Sequence, residues 1–370
     1  MCASLLGLAL VAVSCAPVEQ RSTTATAEPT SKPASTPPSV PSGTTHIPPA
    51  VSPVANATAN GAATGAIPPA QTVRVTFGQV TDNLNHWPLY IAQEKGFFSQ
   101  QGTELDVVQT RSSVGSVQLT ASGSVNVASA TADAVISGVA QGANVRIVSG
   151  FNRAAYTLVA QPGIKSYEDL RGKTIGASAL RAGETPLLRA LLRAHGLNDD
   201  DYELIVAGGT PERVTAMRSG ALAATMLTPP LDLPLQADGF TILGSSLEVL
   251  PDFGFLTLVA NLGWASSNRE TVVRFLRALV MAMDWLLMPA NRQEAVTILA
   301  KRLNTSPSEA NQTYETSVAA NPPLFYPRMQ ITDSSLRNVM GSLVEAGVLS
   351  QSQTDIARYV DLSYLEQAVE

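Results

Sequence analysis

From residue 73 onward, short runs with strand-like character alternate with helical stretches of about ten residues, and this alternation constrains the fold more than any other feature of the chain. Strands are predicted at 73–77, 104–110, 125–130 and 145–149, with helices at 86–101, 113–122 and 132–141 between them. A further run at 156–161 leads into Gln161-Pro162-Gly163, which punctuates the chain. A second, shorter cycle follows, with strands at 173–177, 202–206 and 223–227 and helices at 185–195 and 211–219. A strand at 254–261 then precedes the helical stretch 269–303, and the remainder reads as helices interrupted by Asn321-Pro322-Pro323. Strands joined through helices require right-handed crossovers, so the fold class is α/β with mostly parallel sheets covered by helices. The 370 residues, 45% of them hydrophobic, exceed one ordinary core and predict two lobes. Residues 72–160 with 254–370 form lobe I, residues 161–253 form an inserted lobe II, and no internal repeat of solenoid period is visible.

The first residues, MCASLLGLALVAVSCAP, hold an apolar run too short for a stable membrane span and suited to the core of a signal peptide. Ala12-Val13-Ser14-Cys15 resembles a bacterial lipobox, which implies a signal segment at 1–15 and a lipid on Cys15. No Lys or Arg precedes the apolar run, and Ala12 stands where a lipobox has Leu. Cys2 and Cys15 are the only cysteines, so a body released before Cys15 has no disulfide, thiolate metal site or cysteine nucleophile. Residues 16–71 are mostly Ser, Thr, Pro, Ala and Gly, with Glu19, Arg21, Glu28 and Lys32 as their only charges. Such a composition buries too little surface to offset chain entropy and reads as a disordered tether. A net charge of -6 leaves no basic surface for nucleic acid.

Chemistry-bearing patterns are sparse. The histidines are His46 in the tether, His86 in the first strand-to-helix loop and His195 at a helix end, where a cation complements the helix dipole. No GxSxG, HExxH, clustered Asp-x-Asp or GxxxxGK[ST] occurs, so no cofactor or metal is expected. Polar residues gather instead after the predicted strands. Asp82, Asn83, His86 and Trp87 follow the first, Thr110, Ser112 and Ser113 the second, and Thr131 the third. In the inserted segment, Arg181 and Thr185 follow one strand, Gly209 and Thr210 the next, and Thr228 the last. In open parallel sheets this edge is where ligands bind, because loops converge there on helix N-termini. Each residue also has a plainer role available. Ser112, Thr131, Thr185 and Thr210 stand where helix caps belong, Trp87 can be core, and Arg181 can pair with Glu184.

Three stretches carry a resemblance: His86-Trp87-Pro88-Leu89-Tyr90-Ile91-Ala92-Gln93-Glu94-Lys95-Gly96-Phe97-Phe98, then Tyr167-Glu168-Asp169-Leu170-Arg171-Gly172-Lys173-Thr174-Ile175-Gly176, then Met217-Arg218-Ser219-Gly220-Ala221-Leu222-Ala223-Ala224. In order and spacing they resemble the ABC-transporter solute-binding proteins, in the branch of sulfonate, taurine, nitrate and thiamine-pyrimidine binders, over residues 72–370. The resemblance implies a type II periplasmic-binding fold with a two-strand hinge, here 156–161 and 253–261. It implies a monomeric, lipid-anchored extracytoplasmic receptor that takes a small polar molecule to the transmembrane subunits of a permease, without catalysis. Many relatives carry acidic residues around the strand near Ala223, whereas this chain has Leu222-Ala223-Ala224 and Thr228-Pro229-Pro230. Asn83-Leu84-Asn85-His86 resembles the opening of thiamine-pyrimidine binders, where a ring would suit Trp87 and Asp82; a sulfonate or nitrate would use helix N-termini and Arg181. A ligand sensor, and an enzyme of the pyrimidine-synthase type on the same fold, are the alternatives.

Overall fold

The structure is a computed structural model and describes residues 72–180, 183–229 and 231–370. The expected signal segment with Cys15, the expected tether and Arg181 lie outside the described residues.

The chain begins with β1 (Val73–Gln79), α1 (Trp87–Glu94), α2 (Phe97–Gln100), β2 (Thr103–Gln109), α3 (Ser113–Ala121), β3 (Val127–Thr131), α4 (Ala132–Ala140) and β4 (Val145–Gly150). It then passes to β5 (Thr157–Ala160), β6 (Thr174–Ala177), α5 (Thr185–Ala194), β7 (Glu203–Val206), α6 (Thr210–Arg218), β8 (Ala224–Leu227), α7 (Leu233–Ala237) and β9 (Thr241–Ser245). β10 (Leu256–Asn261) returns to the first sheet and is followed by α8 (Leu262–Ser267), α9 (Arg269–Leu287), α10 (Arg292–Leu303), α11 (Pro307–Ser317), α12 (Asp333–Glu345) and α13 (Ser363–Val369). The helix predicted over 86–101 is two helices, because Gly96 adopts φ +68°, a left-handed conformation that ends α1 and starts α2.

The two sheets have the orders β2-β1-β3-β10-β4 and β7-β6-β8-β5-β9. In each, three parallel strands lead the sheet, and one antiparallel strand separates the third from the last. The lobes therefore repeat one topology although no sequence repeat marks it. The antiparallel strand of each is supplied by the chain as it crosses between lobes.

That arrangement shifts the expected crossings. β5 pairs with β8 and β9, so it belongs to the second sheet, whereas the sequence reading kept residues up to 160 with the first lobe. β10 likewise lies wholly within the first sheet. The crossing segments are residues 151–156 and 246–255, held together by bonds from Ala154 N to Phe253 O (2.9 Å) and from Phe255 N to Asn152 O (3.0 Å). A run such as Leu158-Val159-Ala160 is buried in either setting, and burial pattern alone does not say which sheet it joins.

Apolar burial follows the layers. Val75, Phe77, Val127 and Leu258 on one face of the first sheet pack with Ile91, Phe275, Leu279 and Met283 of α1 and α9. Its other face, with Ala128, Ile147 and Val259, packs against Ile136 of α4 and Met340 of α12, and this core continues through Tyr156 and Phe253 to Ile175, Leu188 and Leu191 of the second lobe. A smaller core of Val159, Met217, Leu222, Leu227 and Leu235 fills the far side of the second sheet. One layer of the molecule is thus shared by both lobes across the crossings.

Candidate functional site

The loop after β1 is built largely for structure. Asn83 caps the helical turn Leu84–His86 by accepting from Asn85 N at 2.9 Å. Tyr90 Oη accepts from Asn83 N (2.9 Å) and donates to Asn83 O (3.0 Å), closing the loop on α1. Asp82 accepts from Gln79 Nε2 at 2.7 Å and pairs with Arg302 Nη2 at 3.1 Å, while the Arg302 guanidinium lies 4.8 Å from the Tyr90 ring. These contacts turn Asp82 toward a hollow between α1 and α10, lined also by Gln93, Glu94, Ile298 and Lys301.

The neighbouring aromatics are buried. His86 is 1% exposed, with Nε2 2.8 Å from Ser129 Oγ and Nδ1 without a partner. Burial lowers its pKa to about 3, so the ring is neutral at ordinary pH. Trp87, expected at the ligand, is fully buried in the first core; its Nε1 donates to Ala295 O at 3.1 Å and its ring meets Tyr314 edge-on at 6.1 Å. A Pro at the second position of α1 fixes where the helix starts, and that register turns Trp87 inward. The structure makes Trp87 a core residue.

At the next loops the caps are mostly ordinary. Ser112 accepts from Gly115 N at 2.9 Å and caps α3, while Thr110 Oγ1 and Ser116 Oγ share a hydrogen bond of 2.6 Å. Between them Arg111 is exposed and held at φ +65°, a conformation a non-glycine residue adopts only where its surroundings impose it. Ser113 Oγ accepts from Thr131 N at 3.2 Å, tying the start of α3 to the start of α4. Thr131 makes no side-chain cap. Asp133, in the first turn of α4, reaches the other lobe: its Oδ2 accepts from Gly183 N at 3.3 Å.

The second lobe answers with buried charge. Glu184 and Arg213 form an ion pair at 3.4 Å with side chains 3% and 2% exposed. Glu184 accepts from Ser178 N (2.7 Å) and Ser178 Oγ, and Arg213 donates to Gly208 O (2.9 Å) and Met226 O (3.2 Å), leaving Nε without a partner. Ser178 follows β6, Gly208 follows β7 and Met226 lies in β8, so the pair lies across the carboxyl edge of the second sheet and joins the first turns of α5 and α6. Gly209, exposed, is the cap position of α6, and Thr210 begins it. Thr185 donates to Ala179 O, and Thr228 is half-buried with its carbonyl accepting from Leu231 N at 2.9 Å. Asp232, 6% exposed, has an oxygen without a hydrogen bond, and burial raises its pKa.

These groups converge on Tyr156 in the first crossing. Burial and then the negative charge of Glu184 push its hydroxyl above the ordinary phenol range, with Arg213 opposing and Asp133 adding. Both lobes therefore direct charge at one buried hydroxyl beside the hinge. Of the expected residues, Ser113 and Thr131 join this edge directly, Asn83 and Ser112 shape the loops beside it, and Asp82, His86 and Trp87 turn away from it or beneath it. Sequence reasoning missed Asp133, Tyr156 and Arg213, and took Glu184 only as a partner for Arg181. Arg213 in Thr210-Pro211-Glu212-Arg213 reads as a solvated helix face until the sheet order places it over β8. Such an edge binds and orients by hydrogen bonds.

Comparison with known proteins gives four concordant findings. The family model described as NMT1/THI5 like matches residues 83–293. The formylaminopyrimidine-binding protein of Halalkalibacterium halodurans is 26% identical over 235 residues, 62% of this chain and 69% of that protein. The alkanesulfonate-binding protein of Xanthomonas axonopodis pv. citri bound to MOPS superposes with a TM-score of 0.62 at 18% identity, covering 79% of this chain and 99% of that one. The periplasmic nitrate-binding protein of Synechocystis does so at 0.64 and 16%, covering 81% and 89%. At that identity the structural matches establish the architecture, a periplasmic-binding-protein fold.

Proposed function

The chain belongs to the NMT1/THI5-like family, and from that premise we propose that it is the solute receptor of an ABC importer. It captures a small polar organic molecule between its lobes and passes it, chemically unchanged, to permease subunits in the membrane. The observation that supports this most is the bond from Gly183 of the second lobe to Asp133 of the first, at the carboxyl edges where such sheets bind ligands. Two lobes joined by two short crossings move about a hinge, and a guest that bridges the edges shifts the population toward the closed form. Three of the similar proteins are named as binding proteins, one for a formylaminopyrimidine and the others for alkanesulfonate and nitrate. Lipidation at Cys15, with residues 16–71 as a tether, holds the monomeric receptor outside the cytoplasm. The reading is tested by the distance between labels on the two lobes as a panel of solutes is added: a guest that shortens it and is recovered unaltered by mass spectrometry supports the proposal, and a guest converted to product overturns it.

A further inference from the structure

The two crossings are not the whole of the hinge. Residues 323–332, between α11 and α12, lie along the first crossing: Arg153 N donates to Leu324 O (2.9 Å), Tyr326 N to Phe151 O (3.2 Å), and Arg153 Nη1 to Pro323 O (2.8 Å). Side chains carry the same segment to the second crossing. Thr332 Oγ1 donates to Asp252 Oδ2 at 2.5 Å, and Tyr326 Oη, which accepts from Ser335 Oγ at 2.5 Å, donates to Asp252 Oδ1 at 3.3 Å. Asn338 Nδ2 of α12 donates to Asp252 O at 2.8 Å. The Arg153 guanidinium lies 4.4 Å from the Tyr326 ring, with Nε 3.9 Å from Asp252. One tyrosine, 1% exposed, is thus the meeting point of both crossings and a third segment.

Two glycines show how close that segment comes. A Cβ on Gly150, at the end of β4, would sit 2.7 Å from Ile331 Cβ, and one on Gly254, in the second crossing, would sit 2.9 Å from Ser335 Oγ and 3.1 Å from Ile331 Cδ1. Each crossing gives up a side chain where residues 323–335 press on it. The segment is held there against its local preference: Arg328 and Met329 adopt φ of +51° and +59°, with Met329 fully buried and Arg328 donating to Val369 O of α13. Among the described residues, the hydrogen bonds of 323–332 go to the first lobe and to residues 151–153 and 252 of the crossings. We infer that residues 323–332 are a strap that splints the first-lobe half of both crossings, and that Tyr326 and Asp252 are positioning residues that set how far and how freely the lobes stand apart.

The splint reaches the ligand edge through Asn152, whose Nδ2 donates to Asn85 Oδ1 in the loop after β1 at 2.7 Å and whose Oδ1 accepts from Leu256 N at 3.1 Å. With the bend confined to the second-lobe half of the crossings, the empty lobes explore fewer orientations, and closure on a guest costs less freedom.

The purpose of the strap rests on the receptor reading above, but its action needs no guest, so the two are tested apart. Labels at Ser124→Cys and Asp200→Cys, both exposed, in the full chain carrying Cys2→Ser and Cys15→Ser, report the interlobe distance by pulsed electron resonance with no solute present. Tyr326→Phe keeps the ring under Arg153 and removes the hydroxyl between Ser335 and Asp252; Asp252→Asn keeps an oxygen for Thr332 and removes the charge beside Arg153. A hydrogen bond to a carboxylate is worth about tenfold in an equilibrium, so the minor orientations of the empty lobes should gain about that factor in population and broaden the distribution in each variant. Leu222→Ala, which opens a cavity in the far core of the second sheet, is the control for lost stability alone and should keep the native width. Native width in either folded strap variant, or equal broadening in Leu222→Ala, overturns the strap and leaves a solute receptor standing. Broadening as expected in a chain that responds to no solute keeps the strap and overturns the receptor.

Discussion

The two lobes use one strand order and finish its ligand edge by different means. The first lobe caps its edge with neutral groups and leaves its charges, Arg111 and Asp133, only half-buried or exposed: Asn83 and Ser112 cap helical turns, and Ser113 ties α3 to α4. It surrounds the sheet with long helices, α9 among them, and buries its aromatic residues beneath that edge. The second lobe shares one core with the first, has only a small core on the far side of its sheet, and closes its edge with the buried Glu184–Arg213 pair. The contrast shows that a shared topology fixes where loops converge, while the chemistry of the convergence is set lobe by lobe. A well-capped platform facing a buried ion pair suits a guest oriented from one side and held where the two lobes meet.

Breaking the clamp is the harshest way to test that contrast. Arg213→Met leaves Glu184 buried and uncompensated, and about 3–5 kcal/mol of stability should be lost. Adding Glu184→Leu should recover most of it, because the cost lies in the unpaired charge and not in the absence of the pair; chemical denaturation of the single and double variants measures both. The platform should fail through packing instead. Trp87→Ala removes a fully buried indole and should cost about 3–5 kcal/mol, while the native-like fraction keeps its affinity for the guest. A strong loss of affinity with intact stability would return Trp87 to the site.

A gentler probe is acid. His86 is held neutral by burial with its pKa lowered to about 3, whereas in the unfolded chain it titrates near 6.5. Below pH 6.5 the unfolded state takes up a proton that the folded state refuses, so stability is full above 6.5 and declines as pH falls toward 3. The loss by pH 5 should be about 2 kcal/mol, and His86→Gln should flatten this part of the profile measured by denaturation.

Much of this architecture is written locally. The alternation of strand and helix and the cap at Ser112 depend on a few neighbouring residues and are legible in the chain, whereas the same reading runs a continuous helix through the break at Gly96 and makes Asn83 a ligand contact. The site is legible as a set of loops, since every candidate stands after a strand. What the sequence conceals is set by distant partners. Trp87 turns inward because Ala295 and Tyr314 receive it, more than two hundred residues away. β5 joins the second sheet because β8 and β9 flank it. Arg213 is buried only because the edge of β6 and β8 lies beneath it, and Asp133 matters only because Gly183 comes to meet it. Lobe assignment and charge pairing are long-range facts, and local patterning holds no record of them.

The central claim is that the two lobes close over a guest that bridges their carboxyl edges. Spin labels at Ser124→Cys in the first lobe and Asp200→Cys in the second, in a chain carrying Cys2→Ser and Cys15→Ser, give the interlobe distance directly by pulsed electron resonance; both positions are exposed. The account predicts a distribution that narrows and shifts when a solute of the panel binds. A distribution indifferent to every solute would contradict it.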